Sequence, residues 1–256
     1  MIYAGGDKHE KGVGLMLDAD MAKCVLGYWT VSERVLLVKL QGQPFNISVI
    51  VVYAPTAEST EEEIDAFYDK LEEAKSQCKS DEIQLIMGDV NAKVGQGQDG
   101  KTVGEFGLGE RNERGDRWVQ WCEANNMVIT NTWFKEHPRR IYTWKSPGDR
   151  TRNQIDYITI NDIFRRAVKH AKTHPGADCG SDHIPVVCTL RWGHSRGTRA
   201  LATMIDEPDI PSPEDYGWKL KGDYYVPVPI TASAWPDCHE IQQIFGALGL
   251  GLQRLV

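Results

Sequence analysis

The chain has few cysteines, little excess positive charge and no long apolar run, and each shortage excludes a class of protein. The six cysteines, at positions 24, 78, 122, 179, 188 and 238, form no C-x-x-C pair and no zinc spacing. Disulfide scaffolds and zinc modules are set aside, and reduced thiols in an intracellular protein are expected. Residues 1–20 lack the apolar core of a secretory leader. The longest apolar run, Ile47 to Ala54, is far too short to cross a bilayer, and the apolar Ile244–Val256 is broken by three glycines, so no membrane partner is expected. With 29 Lys and Arg against 36 Asp and Glu the net charge is −7. Coating nucleic acid through bulk positive charge is excluded, although a local basic cleft stays open. Gly (24) and Pro (12) are near ordinary usage, which excludes collagenous and low-complexity chains. What remains is 256 residues, 41% of them hydrophobic, enough to bury a sizeable core.

The pattern divides near Trp192. Before it, Val13–Leu17, Val25–Thr30, Val35–Leu40 and Pro44–Tyr53 read as strands, the last two as a hairpin. Residues 60–79 change period: Ile64, Phe67, Tyr68, Leu71, Ala74 and Cys78 share one helical face, and Thr60 with Glu63 forms a candidate capping box. The ten acids between Glu58 and Glu82 are the solvated side of that helix. Ile83–Met87 is a buried strand leading into Gly88-Asp89, and residues 96–109 are a Gly-rich surface loop. A second helix is expected over Asp116–Asn126, and strands over Val128–Asn131, Ile141–Trp144, Gln154–Ile160 and Ile184–Leu190. Hairpins with interspersed helices point to an α/β domain of layered mixed sheets over residues 1–192. Residues 193–256 read as a mostly irregular tail of unknown role, and no internal repeat is present.

Four polar clusters sit at the ends of apolar runs: Tyr53-Ala54-Pro55, Gly88-Asp89-Val90-Asn91, Gln154-Ile155-Asp156-Tyr157 and Ser181-Asp182-His183. A rigid sheet can aim side chains placed there. Each has a plain structural alternative. Tyr53 could be an interface tyrosine, Asp89 and Asn91 could cap a turn, Asp156 could pair with Arg152, and Asp182 could open a turn before a strand.

Taken together with Tyr142-Thr143-Trp144-Lys145-Ser146 and Asn153-Gln154-Ile155-Asp156, the set resembles the endonuclease/exonuclease/phosphatase superfamily, whose fold is like that of deoxyribonuclease I. It is most similar to the apurinic-type endonuclease domain of non-LTR retrotransposons. The resemblance implies two stacked mixed β-sheets flanked by helices, a four-layer sandwich, and hydrolysis of phosphodiesters in DNA with Mg2+ or Mn2+. By that resemblance Asp89 orients or deprotonates the attacking water, and Asn91 donates to a phosphate oxygen. His183 contacts the phosphate, with Asp156 fixing its tautomer, and Tyr53 lies against the phosphate or leaving group. Asp182 binds or orients the metal, with Asp89 and Asn91 as further metal contacts, while Thr143, Trp144, Lys145, Arg152 and Ser181 serve substrate binding. A nuclear location is implied as well.

Charge placement agrees with a nucleic-acid partner. From Lys135 to Arg152 there are six Lys or Arg against two acids, interleaved with Tyr142 and Trp144. Arg165, Arg166, Lys169 and Lys172 form a second basic cluster, expected on an exposed helix face. The resemblance also implies an upstream strand ending in Asn and another carrying a Gln-Glu pair whose glutamate binds the metal. Both would precede Tyr3, and neither Glu10 nor Glu33 falls where that ligand belongs. The expectation is therefore an endonuclease with weak or absent activity, with Val13–Leu17 and Ile184–Leu190 left as open sheet edges. A non-catalytic remnant that binds nucleic acid or protein, and a phosphatase of the same superfamily, are the alternatives.

Overall fold

The structure, a computed structural model, describes residues 1–6, 11–177 and 180–191, together with the strands 218–221, 224–227, 241–246 and 250–255. Cys179, Cys238, Glu10 and the expected boundary at Trp192 lie outside the described residues.

A six-stranded sheet organises the chain. Its strands are β3 (Val25–Ser32), β4 (Val35–Leu40), β5 (Ile47–Tyr53), β6 (Ile83–Asp89), β7 (Met127–Ile129) and β10 (Asp156–Asn161), in the order β3-β4-β5-β6-β10-β7. Only β5 and β6 run parallel, because the connection between them is a helix, α2 (Glu61–Ser76). The near-continuous Val, Ile and Leu of β4, β5 and β6 suit strands covered on both faces.

Alternation along these strands separates two cores. On one face Leu36, Val49, Leu85, Met87 and Ile158 pack against Val13 and Leu15 of β2 (Gly12–Leu17), and against Val186 and Leu190 of β12 (Val186–Leu190). On the other face Leu37, Ile50 and Ile86 meet Phe67 and Leu71 of α2, and Trp118 and Val119 of α3 (Glu113–Ala124). The second layer of strands is made of β1 (Ile2–Gly5), β2, β15 (Ile241–Gly246) and β16 (Leu250–Leu255), in the order β1-β2-β16-β15, and the pair β11 (Val168–Thr173) with β12. The result is a mixed α/β fold of stacked sheets flanked by helices.

Local chemistry accounts for the boundaries. The Thr60 hydroxyl accepts from the Glu63 amide at 3.3 Å, and the Glu63 carboxylate accepts from the Thr60 amide at 3.2 Å, completing the capping box. The hairpin strand begins at Ile47 rather than Pro44, since Pro44 has no amide for the ladder and Asn46 accepts from Gly42 in the turn.

Several expectations are corrected. Residues 141–143 form no strand; only β8 (Trp144–Lys145) pairs, with β9 (Arg152–Asn153). Arg165, Arg166, Lys169 and Lys172 share no helix, because a 3-10 turn over Asp162–Ala167 gives way to β11, where Ala171 and Thr173 alternate into the core. Residues 96–109 are partly interior, with Thr102 and Val103 buried. Strand β2 is no open edge, for β1 and β16 flank it, whereas among the described residues β12 has β11 as its one partner strand and keeps an edge. Four strands are described within residues 193–256: β13 (Trp218–Lys221) and β14 (Tyr224–Pro227), which pair with each other, and β15 and β16.

The capping box is the cleanest local test. Thr60→Ala removes one reciprocal bond, so urea unfolding is expected to show a loss of about 1 kcal/mol. An unchanged midpoint would mean that the cap contributes nothing.

Candidate active site

Three strand termini meet at one end of the six-stranded sheet. Tyr53 ends β5 and stands beside Asp89, which ends β6; Asp156 opens β10 and faces Asp89 from the other side. Adjacent strands are about 4.8 Å apart, so register alone gathers the three. The approach of β6 to β5 depends on Gly88, whose φ is +148°. A Cβ there would lie 1.8 Å from the Val52 carbonyl oxygen, which no side chain survives.

The loop after Asp89 is tied on every side. The Asn91 amide donates to Asp89 Oδ1 at 2.8 Å, and Asn91 Nδ2 donates to the Ala54 carbonyl at 2.9 Å. Asn91 has φ +49°, a left-handed conformation that asparagine tolerates better than most residues. The Val90 amide donates to the Ile155 carbonyl at 2.9 Å. The Tyr157 hydroxyl donates to the Gln154 carbonyl at 2.6 Å and accepts from the Val94 amide at 3.0 Å, fastening this loop to β10. Asp89 thus caps a turn and, in the same place, presents a buried carboxylate.

His183 completes the group. Its Nδ1 lies 3.1 and 3.0 Å from the two oxygens of Asp156, and both residues are buried. Asp89, Asp156 and His183 offer donor atoms within 4.8 Å of one another. Burial alone would push the imidazole toward neutrality. The charge and hydrogen bond of Asp156 oppose this, Asp89 and Asp182 add to it, and the pKa is lifted to about 9. At neutral pH the ring is therefore cationic. Asp156 pairs with His183 and not with Arg152, which instead bonds Asp149 through Nε at 2.7 Å and stacks on Tyr142 at 4.5 Å.

The remaining candidates divide into surface and support. Asp182 is half-buried and accepts from Trp144 Nε1 at 2.8 Å; Ser181 Oγ accepts from the His183 amide at 3.0 Å. Trp144 and Lys145 are half-buried beside them, with the Lys145 amide donating to the Asp182 carbonyl at 3.0 Å. Thr143 is fully buried, and its hydroxyl accepts from the amides of Ile155 (2.9 Å) and Asp156 (3.1 Å), so it holds Asp156 in place.

Two supporting residues escape a reading of motifs. Arg34 donates to the Tyr53 carbonyl at 3.2 Å, and its guanidinium lies 4.8 Å from the Tyr53 ring centroid. Buried Asn131 donates to the Asp156 carbonyl at 3.0 Å and accepts from the Ile158 amide at 3.3 Å, continuing the ladder where β7 turns away. The only signal in the sequence is a polar residue within two positions of an apolar run.

The donor chemistry fits a hard divalent cation. Mg2+ takes oxygen ligands and is often held by one or two carboxylates with waters, and Asp89 and Asp156 supply two in a buried setting. A protonated His183 has no lone pair to give, so the carboxylate oxygens are the atoms that would hold such a cation. Glu33 is committed to Lys11 at 3.0 Å.

The Asp156–His183 pair makes stability depend on pH. The folded pKa of His183, about 9, exceeds the ordinary value of 6.5. The contribution, on the order of 3 kcal/mol, is fully present below pH 6.5 and disappears as pH rises through 9. In EDTA, urea unfolding at pH 6 and pH 9.5 is expected to show this loss in the wild type and little of it in Asp156→Asn. Equal slopes in the two proteins would contradict the pairing.

Residues 47–187 match the family described as endonuclease-reverse transcriptase. Craniofacial development protein 2 of Bos taurus is 43% identical over 192 residues, covering 74% of this chain and 32% of that protein. Its counterpart from Tragulus javanicus is 41% identical, covering 74% and 33%. The chain thus spans about a third of the length of these relatives. Among solved structures, the 3'-5' exonuclease of Neisseria meningitidis aligns with TM-score 0.47 and 18% identity, over 70% of this chain and 71% of that one. The endonuclease domain of TRAS1, a telomere-specific non-LTR retrotransposon, gives 0.43 and 12%, over 67% and 64%. The extent of the family match, over the stretch that contains Tyr53, Asp89, Asp156 and His183, shows that this chain belongs to the endonuclease-reverse transcriptase family, within the superfamily of nucleases and phosphodiesterases.

Proposed function

We propose that the chain is a divalent-metal-dependent phosphodiester hydrolase that acts on DNA as an endonuclease. The observation that carries this is the buried group of Asp89, Asp156 and His183 within 4.8 Å, with the imidazole held by Asp156. Phosphodiester cleavage needs an oriented water, charge stabilisation on the non-bridging oxygens and help for the leaving oxygen.

The residues divide that work. Cationic His183 donates to a phosphate oxygen from Nε2, since Nδ1 is held by Asp156. Asp89 accepts a proton from, or orients, the attacking water. Asn91 is fixed by its loop two residues further on, and Tyr53 stands beside Asp89 at the end of β5. Asp89 and Asp156 would hold magnesium or manganese, which when bound would supply positive charge for the phosphate and the leaving group. The Lys135–Arg152 segment supports nucleic acid over a phosphorylated small molecule, and a nuclear location follows from the same reading.

Magnesium-dependent nicking of supercoiled plasmid tests the proposal. Asp89→Ala and His183→Ala are each expected to lower the rate at least about 100-fold. A wild type that binds magnesium yet never nicks would favour the non-catalytic reading, and preferential hydrolysis of an inositol phosphate over an abasic duplex would move the substrate class. Independently of activity, magnesium is expected to raise the melting temperature of the wild type and not of Asp89→Asn. Equal shifts would place the cation elsewhere.

A further inference from the structure

The second basic cluster lies outside the site, and the fold makes it continuous with the first. The 3-10 turn Pro138–Arg140 sits against β11: Glu136 Oε1 is 3.1 Å from His170 Nδ1, and the Phe134 and His170 rings are 5.7 Å apart. His174, just past the end of β11, is held below its ordinary pKa by partial desolvation and then by the positive charges of Lys172 and Arg140. The two clusters therefore share one field. Residues 134–174 carry ten Lys or Arg against four acids, a net +6, while the rest of the chain carries −13.

This charge is not consumed internally. Among the described residues, Arg139, Arg140, Arg166, Lys169 and Lys172 make no ion pair, and all five are exposed or half-exposed. An array of like charges without partners costs free energy unless a polyanion offsets it. The tract also has direction. The His174 amide donates to the Pro185 carbonyl, and the Ile184 amide to the Thr143 carbonyl, so one end adjoins the site. The other end is the Asp162–Ala167 turn, beyond the far end of β10. Six residues of β11 give it a length of about 20 Å down the side of the sheets.

We propose that this tract, formed by Pro138–Arg140, β11 and the Asp162–Ala167 turn, binds the sugar-phosphate backbone of a single nucleic-acid strand that leaves the cleavage site. The proposal rests on the nuclease reading of that site. Stiffness chooses the single strand: duplex DNA has a persistence length of about 150 bp and does not turn cheaply from the end of the sheets down their side. A single strand turns freely and can follow the exposed cations of the tract with its phosphates.

The test is fluorescence anisotropy in EDTA with three probes: a blunt 10-bp duplex (about one helical turn), the same duplex with a tail of about 12 nucleotides, and the tail alone. Oligothymidine and oligouridine tails separate DNA from RNA. The tail is expected to tighten binding at least tenfold. The charge-reversal variant R166E/K169E/K172E should abolish that gain and lower the salt slope of the tailed probe by about 2, with a smaller loss on the blunt duplex. Circular dichroism checks that the variant folds. A tail that adds nothing, or a gain that survives the reversal, overturns the proposal. Failure of the blunt duplex to bind, with the tail alone still held by wild type and lost in the variant, would contradict the reading of the site while sustaining the tract. Loss of binding by all three probes overturns both.

Discussion

A carboxylate and an imidazole, Asp156 and His183, are held together out of water at the rim of the main sheet. Removing two charges from solvent costs several kcal/mol per ion, and breaking such a pair typically destabilises by about 3–5 kcal/mol. Hydrophobic residues of similar volume would serve the core as well, so the pair is better understood through what it does for its neighbours. It fixes which imidazole nitrogen faces outward. It brings a cation beside Asp89, whose own loop is anchored to both flanking strands. Thr143, Asn131 and Tyr157 all spend buried hydrogen bonds on the backbone around Asp156. The support is therefore several times larger than the group supported.

Charge at the scale of the whole chain follows the same division. The acids concentrate on the solvent side of α2, on the outer face of the helix layer, and the cations concentrate on residues 134–174. An acidic protein is repelled by polyanions on average. A segregated one presents its basic side to them first, and the field then orients the encounter. The site lies where the two sheets end and the basic side begins.

Much of this was legible in the sequence because periodicity and burial coincide. Leu36, Val38 and Leu40 alternate with Val35, Leu37 and Lys39, and the strand has those very limits. The stripe Ile64, Phe67, Leu71 and Ala74 became the buried face of α2. The motifs around Asp89, Asp156 and His183 were legible because their spacing, taken together, is rare. Other features left no such trace. β11 carries Lys169 and Lys172 three residues apart, so charge suggested a helix where long-range pairing with β12 decided a strand. The hold of Thr143 on Asp156 left no trace either, because a hydroxyl gives no hint in sequence that two amides twelve and thirteen residues away will claim it. Arg34 and Asn131 act through partners that only the folded chain brings close.

Titration of the His183 ring by nitrogen NMR, in EDTA and compared with Asp156→Asn, tests the central pairing most directly. A midpoint near 9 in the wild type, falling by more than one unit in the variant, is the result this structure predicts. A midpoint near 6.5 that the variant leaves unmoved would show that carboxylate and imidazole do not meet, and the site built on them would fall with that contact.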